Sequence, residues 1–305
     1  MERRTFLSAL GAAATAGTIS LKAQDAPQTG RVTLLHTNDM HSRIEPYGPG
    51  NGQLSGQGGM ARRAALVKQM RKQTGNVLLL DAGDVFQGTP YFNQFKGRIE
   101  YRLMSMMGYD AATLGNHDFD NGVEGLLAAM EEATFPFVNC NFDMKGSPDL
   151  AKRVRPWLVR DMPGIKVGIT GVCLDFNGLV SARNHAGVIW KDPVECLKPV
   201  IKHLREKEKV DLVVLLSHLG YDTKGQGIDD VTLPGLVSGI DAIVGGHSHT
   251  FMDQPARVKQ AAGETLVFQV GLGGVVLGRM DFVVRQGRVM ASSGFALPLN
   301  APVQA

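Results

Sequence analysis

The chain has 305 residues, of which 44% are hydrophobic, 20% charged and 7% aromatic. That mix excludes a disordered, collagen-like or coiled-coil protein, and at this length folding removes roughly three quarters of the surface from water, enough for a large core without staples. Lys and Arg total 32 against 29 Asp and Glu, a net charge of +3; Arg3, Arg4 and Lys22 carry most of the excess, and the near-neutral remainder excludes the broad basic field that a nucleic-acid polymer would require.

Residues 1–24 open with Arg3-Arg4 and continue into an uncharged run rich in Ala, Gly, Ser and Thr over residues 6–21, shorter than the roughly 20 residues of a membrane span. This segment resembles a twin-arginine export signal. It implies a periplasmic or otherwise exported protein without a membrane span, and leaves residues 25–305 as one domain. The three cysteines, Cys140, Cys173 and Cys196, cannot all pair internally, and none has a CxxC partner. Buried free thiols are the expected reading.

Apolar periodicity predicts a strand over 31–36, a helix over 60–72, a strand over 76–80 and a helix over 97–107. A strand over 110–114, a helix over 122–132 and a strand over 135–138 follow. A hairpin over 154–173 turns at Pro163-Gly164. Next come a long amphipathic helix over 193–207, buried strands over 212–216 and 240–244, and an all-strand region over 265–297. The early β-α-β order and the later strands point to an α/β domain of two packed sheets with helices outside. The Gly-rich loop 48–59 reads as mobile.

Polar residues cluster where the apolar strands stop. HTNDMH carries Asp39 and His41, DAGD carries Asp84, GNHDFD carries Asn116, His117, Asp118 and Asp120, SHLG carries His218, and GGHSH carries His247 and His249. The carboxyl ends of strands are where α/β sheets bind ligands. Gly83, Gly115, Gly245 and Gly246 let the backbone turn there, which accounts for part of a glycine content of 37 residues. Asp39, His41, Asp84, Asn116, His218, His247 and His249 offer hard-to-borderline donors that suit Mn, Zn or Fe. Seven donors exceed the four or so that one ion needs. With Asp84 shared, they fit two divalent ions able to clamp a phosphate. A lone D-x-H arises by chance in roughly one chain in three of this length, whereas GNHD is rarer by more than two orders of magnitude.

HTNDMH, GDVFQGTP, GNHDFD, SHLG and GGHSH resemble the calcineurin-like metallophosphoesterases, and HTNDMH with GNHDFD is most similar to the catalytic domain of 5′-nucleotidases. The resemblance runs from about residue 31 to about residue 297. It implies a four-layer α/β/β/α sandwich with two packed mixed sheets and a dinuclear centre. By position, Asp39, His41, Asp84 and His249 would hold one ion, and Asp84, Asn116, His218 and His247 the other. His117 with Asp120 would be the catalytic pair, and Asn116 and His117 would contact the substrate. The implied reaction is in-line attack of a metal-bridging hydroxide on a small phosphorylated substrate, a nucleotide foremost.

Nothing after residue 297 can do the work of the C-terminal base-binding domain of two-domain 5′-nucleotidases. A separately encoded base-binding protein, or an open and promiscuous site, is therefore expected. Two other readings stand beside this one: a related dimanganese sulfate-ester or thiosulfate-type hydrolase, and a non-catalytic metal-binding partner of a separate C-terminal-domain protein. Among the remaining residues, His36 reads as structural and as a means of orienting the Asp39 loop. His185 and His203 read as surface residues. Tyr91 and Phe92 read as core packing, with a lesser prospect of lining the cleft. Met104, Met106 and Met107 read as core filling, and Asp118 as an acid outside the ligand set.

Overall fold

The computed structural model describes residues 29–300; the export signal expected over 1–24 lies outside them. Among the described residues no helix is long and apolar enough to cross a membrane.

The first sheet has seven strands. Its parallel centre runs β1 (Thr29–Thr37), β2 (Val77–Asp81), β3 (Ala111–Ala112), β4 (Phe137–Val138) and β6 (Val154–Arg155). On the other side of β1 it is extended by the antiparallel hairpin β14 (Val276–Arg285) and β15 (Arg288–Pro298). The second sheet has six strands. Its parallel centre is β8 (Ile165–Cys173), β10 (Leu212–His218), β11 (Ala242–Gly245) and β13 (Gly263–Phe268). Antiparallel edges are supplied by β7 (Trp157–Met162) and β12 (Ala256–Gln260). A small pair, β5 (Phe142–Asp143) with β9 (Ile189–Trp190), stands apart. The hairpin expected at Pro163-Gly164 is the β7–β8 turn.

Two mixed sheets with helices outside need three apolar interfaces, and three are present. Alternate side chains of the central strands supply them, because successive residues of a strand face opposite ways. Between the sheets lie Val32, Leu34, Leu78 and Leu80 from one and Val167, Ile169, Val214, Leu216, Val244 and Phe268 from the other. The opposite face of the first sheet, with Leu35 and Leu79, packs on α1 (Met60–Gln73), α3 (Arg98–Met107), α4 (Gly122–Met130) and α5 (Pro148–Arg153). The opposite face of the second, with Val213, Leu215 and Ile243, packs on α6 (Pro193–Glu206). This is the four-layer α/β/β/α arrangement.

Helix α6 shows why these residues make these elements. Asp192 caps it by accepting hydrogen bonds from Val194 N at 2.8 Å and Glu195 N at 3.1 Å, with Pro193 in the first turn. Leu197, Val200, Ile201 and Leu204, at spacings of three and four, form its buried face. Each such side chain removed from water contributes roughly 1.5–3 kcal/mol.

Several local expectations are corrected. The strand expected over 110–114 is reduced to Ala111–Ala112, which pair with Leu80 and Asp81 of β2. Two short helices, α2 (Pro90–Phe95) and α5, were not foreseen, although Thr-Pro and Ser-Pro steps mark both starts. Met104 and Met107 are core residues, but Met106 is 78% exposed on the outer face of α3. Phe92 is buried, whereas Tyr91 faces outward and donates its hydroxyl to Glu45 at 2.9 Å. His36 does not orient the Asp39 loop. It is buried with both ring nitrogens unpartnered, and its ring meets Phe268 edge-on at 5.1 Å. His185 and His203 are partly exposed and lie against Phe176 and Trp157. The Gly-rich loop is tied at its end by Gly56 N to Tyr47 O at 2.7 Å and Gly58 N to Leu299 O at 2.8 Å. All three cysteines are free, and only Cys173 is fully buried.

Candidate metal centre

The loops that leave β1, β2, β3, β10 and β11 converge at one edge of the sandwich. Asp39, His41 and His249 offer ligand atoms within 4.8 Å of one another, and so do Asp84, His218 and His247. Each group takes residues from both sheets. In the first, His41 Nε2 lies 2.9 Å from His249 Nε2, and these nitrogens are 4.0 and 3.4 Å from Asp39 Oδ1. In the second, His218 Nε2 lies 3.1 Å from Asp84 Oδ2. Asn116 is neutral, yet its Oδ1 is 3.1 Å from His247 Nδ1, beside the second group. All seven expected ligands therefore stand together.

The backbone is bent to bring this about. Asp39, His41, Asp84, His247 and His249 all have φ between +47° and +74°. Non-glycine residues rarely adopt that region, and each such residue costs about 1–3 kcal/mol. The surrounding bonds over-determine it: Asp39 N donates to Gly83 O at 2.9 Å, His41 N to Asp84 O at 3.1 Å, and Gly273 N to Asp39 O at 2.7 Å. At Gly115 a Cβ would press on the Asp84 carboxylate and come within 2.7 Å of His218 Cε1. Only glycine permits that approach.

Other side chains hold the ligands in place. His218 Nδ1 donates to Ala82 O at 2.7 Å and His41 Nδ1 to Phe86 O at 3.2 Å, which turns each Nε2 toward its group. The fully buried His218 Nε2 has no hydrogen-bond partner. This buried ring nitrogen stands 3.1 Å from Asp84 Oδ2 and makes no other contact of its own, which leaves it free to bind a cation in place of its proton, so these residues fit two divalent ions. Asn38 Nδ2 donates to Asp39 Oδ2 and to Gly271 O, both at 2.6 Å. Gln269 Nε2 donates to Gly246 O at 2.6 Å. Asp81 accepts from Gly83 N at 2.9 Å, and buried Glu100 accepts from Ser42, next to His41. Asn38, Asp81, Glu100 and Gln269 are not foreseen from the motifs. Asn38 and Asp81 at least lie inside HTNDMH and DAGD, whereas Glu100 sits within a helical pattern and Gln269 directly follows β13.

The Calcineurin-like phosphoesterase profile matches residues 32–251, which covers most of the chain and every residue of both groups. The chain belongs to the calcineurin-like phosphoesterase family. It is 35% identical to the snake venom 5′-nucleotidase of Gloydius brevicauda over 88% of this chain and 48% of that one. It is 33% identical to the 5′-nucleotidase of Vibrio cholerae over 97% of this chain and 57% of the other. The crystal structure of a 5′-nucleotidase precursor from Thermus thermophilus superposes with a TM-score of 0.80 at 34% identity, covering 88% of this chain and 55% of that one. The chain thus spans about half the length of the relatives it matches. A Thermus sulfate thiohydrolase shares the fold, with a TM-score of 0.75 at 20% identity.

The electrostatics of this calcineurin-like centre divide its ligands: burial opposes charge on His218, but Asp84 outweighs it and raises the His218 pKa to about 10, so an incoming ion displaces that proton. Burial, with the nearby His218 charge, lowers the His247 pKa to about 4, and burial lowers that of His41. Both rings are neutral near pH 7. Burial opposes charge on Asp84, but His218 outweighs it and holds the carboxyl well below its usual range. His117 belongs to neither group of ligands. Its Nδ1 faces Asp120 Oδ2 at 2.8 Å, and that hydrogen bond raises its pKa against the opposing effect of burial. The His117 ring meets His41 edge-on at 5.3 Å between centroids, beside the first group of ligands.

Proposed function

We propose that this chain is a dinuclear-metal phosphohydrolase that cleaves phosphate esters, nucleotides first among them. The observation that carries the reading is the pairing of two Asp/His groups drawn from both sheets with a single Asp-oriented histidine at their side. Asp39, His41, Asp84 and His249 would hold one ion, and Asp84, Asn116, His218 and His247 the other. When bound, two divalent ions would supply positive charge against the phosphoryl oxygens and activate the attacking water.

The chain's own residues account for the remaining steps. Asn116 orients the phosphate with its amide hydrogens while its carbonyl oxygen faces the second group. His117, kept protonated by Asp120, holds its proton at Nε2 and gives it to the oxygen of the departing ester. Asp120 fixes the ring and offsets its charge. The 5′-nucleotidase relatives support nucleotides as the substrate class. Base recognition is assigned to groups beyond the metal loops, including a separate base-binding protein. The Arg3-Arg4 segment supports export.

The test is hydrolysis of AMP, a nucleotide sugar, a cyclic nucleotide and p-nitrophenyl phosphate by metal-loaded protein, with and without chelator. Chelator-sensitive turnover of AMP is expected. Absence of turnover on every ester by protein that holds two ions would overturn the reading.

A further inference from the structure

GNHDFD contains two acids, and only Asp120 has a partner in the chemistry proposed above. Asp118 is fully buried and both of its oxygens are occupied. Oδ2 accepts from Asp84 N at 3.0 Å and Gly115 N at 2.8 Å, and Oδ1 accepts from Val85 N at 3.1 Å. The three donors belong to two loops: Asp84 and Val85 follow β2, and Gly115 follows β3. Gly83 at φ +91° and Asp84 at φ +55° turn successive N–H groups inward, a concavity of the kind that binds anions. A carboxylate from the neighbouring loop fills it.

The relationship is reciprocal. Asp84 Oδ1 accepts from His117 N at 2.8 Å. Each carboxylate therefore grips the backbone of the other's loop. Asp84 spends Oδ1 on that bond and keeps Oδ2 for His218 at 3.1 Å. With no free oxygen, Asp118 is not placed to act as a ligand itself.

We infer that Asp118 is a positioning residue: its carboxylate closes the Asp84–Val85 turn, holds Asp84 in its left-handed conformation, and so sets the affinity of the shared-aspartate site for its ions. The inference rests on the dinuclear reading above. Removal of a group that orients a ligand typically weakens metal binding 10–100-fold. An amide at this position keeps the shape but places a donor opposite at least one of the three N–H groups.

The experiment is a Mn²⁺ titration of chelator-stripped protein by calorimetry, with kcat measured against Mn²⁺ concentration, for wild type, D118N and D120N. Wild type should bind two ions. D118N should bind them about 10–100-fold more weakly, and excess Mn²⁺ should return its kcat to within about threefold of wild type. D120N should keep native affinity and lose turnover that excess metal does not restore. Native Mn²⁺ affinity in D118N, or a loss of kcat that saturating Mn²⁺ leaves in place, overturns the inference while the dinuclear reading stands. Fewer than two ions in wild type overturns both. Should D118N not fold, D118E and D118Q make the comparison at equal side-chain length. A glutamate variant that binds more tightly than the glutamine variant supports the inference, and equal affinities overturn it.

Discussion

His117 and Asp120 face each other across one turn of 3₁₀ helix, with Nδ1 and Oδ2 at 2.8 Å. Side chains three apart eclipse in that geometry, so the pair is built into the backbone and does not depend on distant packing. His117→Ala should lower kcat by about 10²–10⁴ and leave metal content near two ions per chain. Steady-state rates beside elemental analysis of the same sample check both halves.

Asp84 belongs to the second group, and under the proposed function it serves both ions, so its loss should be felt twice. Asp84→Asn is expected to reduce bound metal below one equivalent and to abolish chelator-sensitive turnover. Full metal content in this variant would show that the carboxylate is not shared.

Gly115→Ala adds no charge and removes no ligand. Its Cβ would press on the Asp84 carboxylate and His218. Metal affinity should fall about 10-fold or more, with far-UV circular dichroism unchanged. Native affinity would mean that the loop yields at no cost.

Burial lowers the pKa of His36 from its ordinary value near 6.5 to about 3 in the folded protein. Between those values the unfolded chain binds the extra proton, so stability rises with pH across the window. The loss reaches ~5 kcal/mol at the acid end, at about 1.4 kcal/mol per pKa unit. His36→Leu should therefore lose less stability than wild type between pH 6.5 and pH 4. Urea unfolding of chelated protein at several pH values measures this, and parallel curves would refute it.

Leu215 is fully buried against α6. Leu215→Ala should cost 2–5 kcal/mol, seen as a lower urea midpoint with an unchanged slope, while kcat of the folded fraction stays native.

The legible parts of the molecule are those where local pattern and tertiary role coincide. The run 212–216 is apolar at every position because β10 is covered on both faces. Asp39, Asp84, Asn116, His218, His247 and His249 each follow such a run, so their convergence is readable. Asp118 and Asp120 look alike in sequence; the 3₁₀ turn sends one inward and the other to His117. Met106 and Met104 differ only by which face of α3 they occupy. Glu100 and Gln269 carry no motif. Their roles exist only once β13 and α3 lie against the metal loops.

No complete ligand group resides in one half of the chain. Asp39 and His41 wait for His249, and Asp84 waits for His218 and His247. During synthesis a nascent polypeptide therefore offers no finished pair of cages until nine of the thirteen strands of the two sheets have been made, and early intermediates cannot be templated by the ions. Capture of metal becomes a late event that latches the two halves of the sandwich together, and chelation should loosen their docking before it melts either sheet.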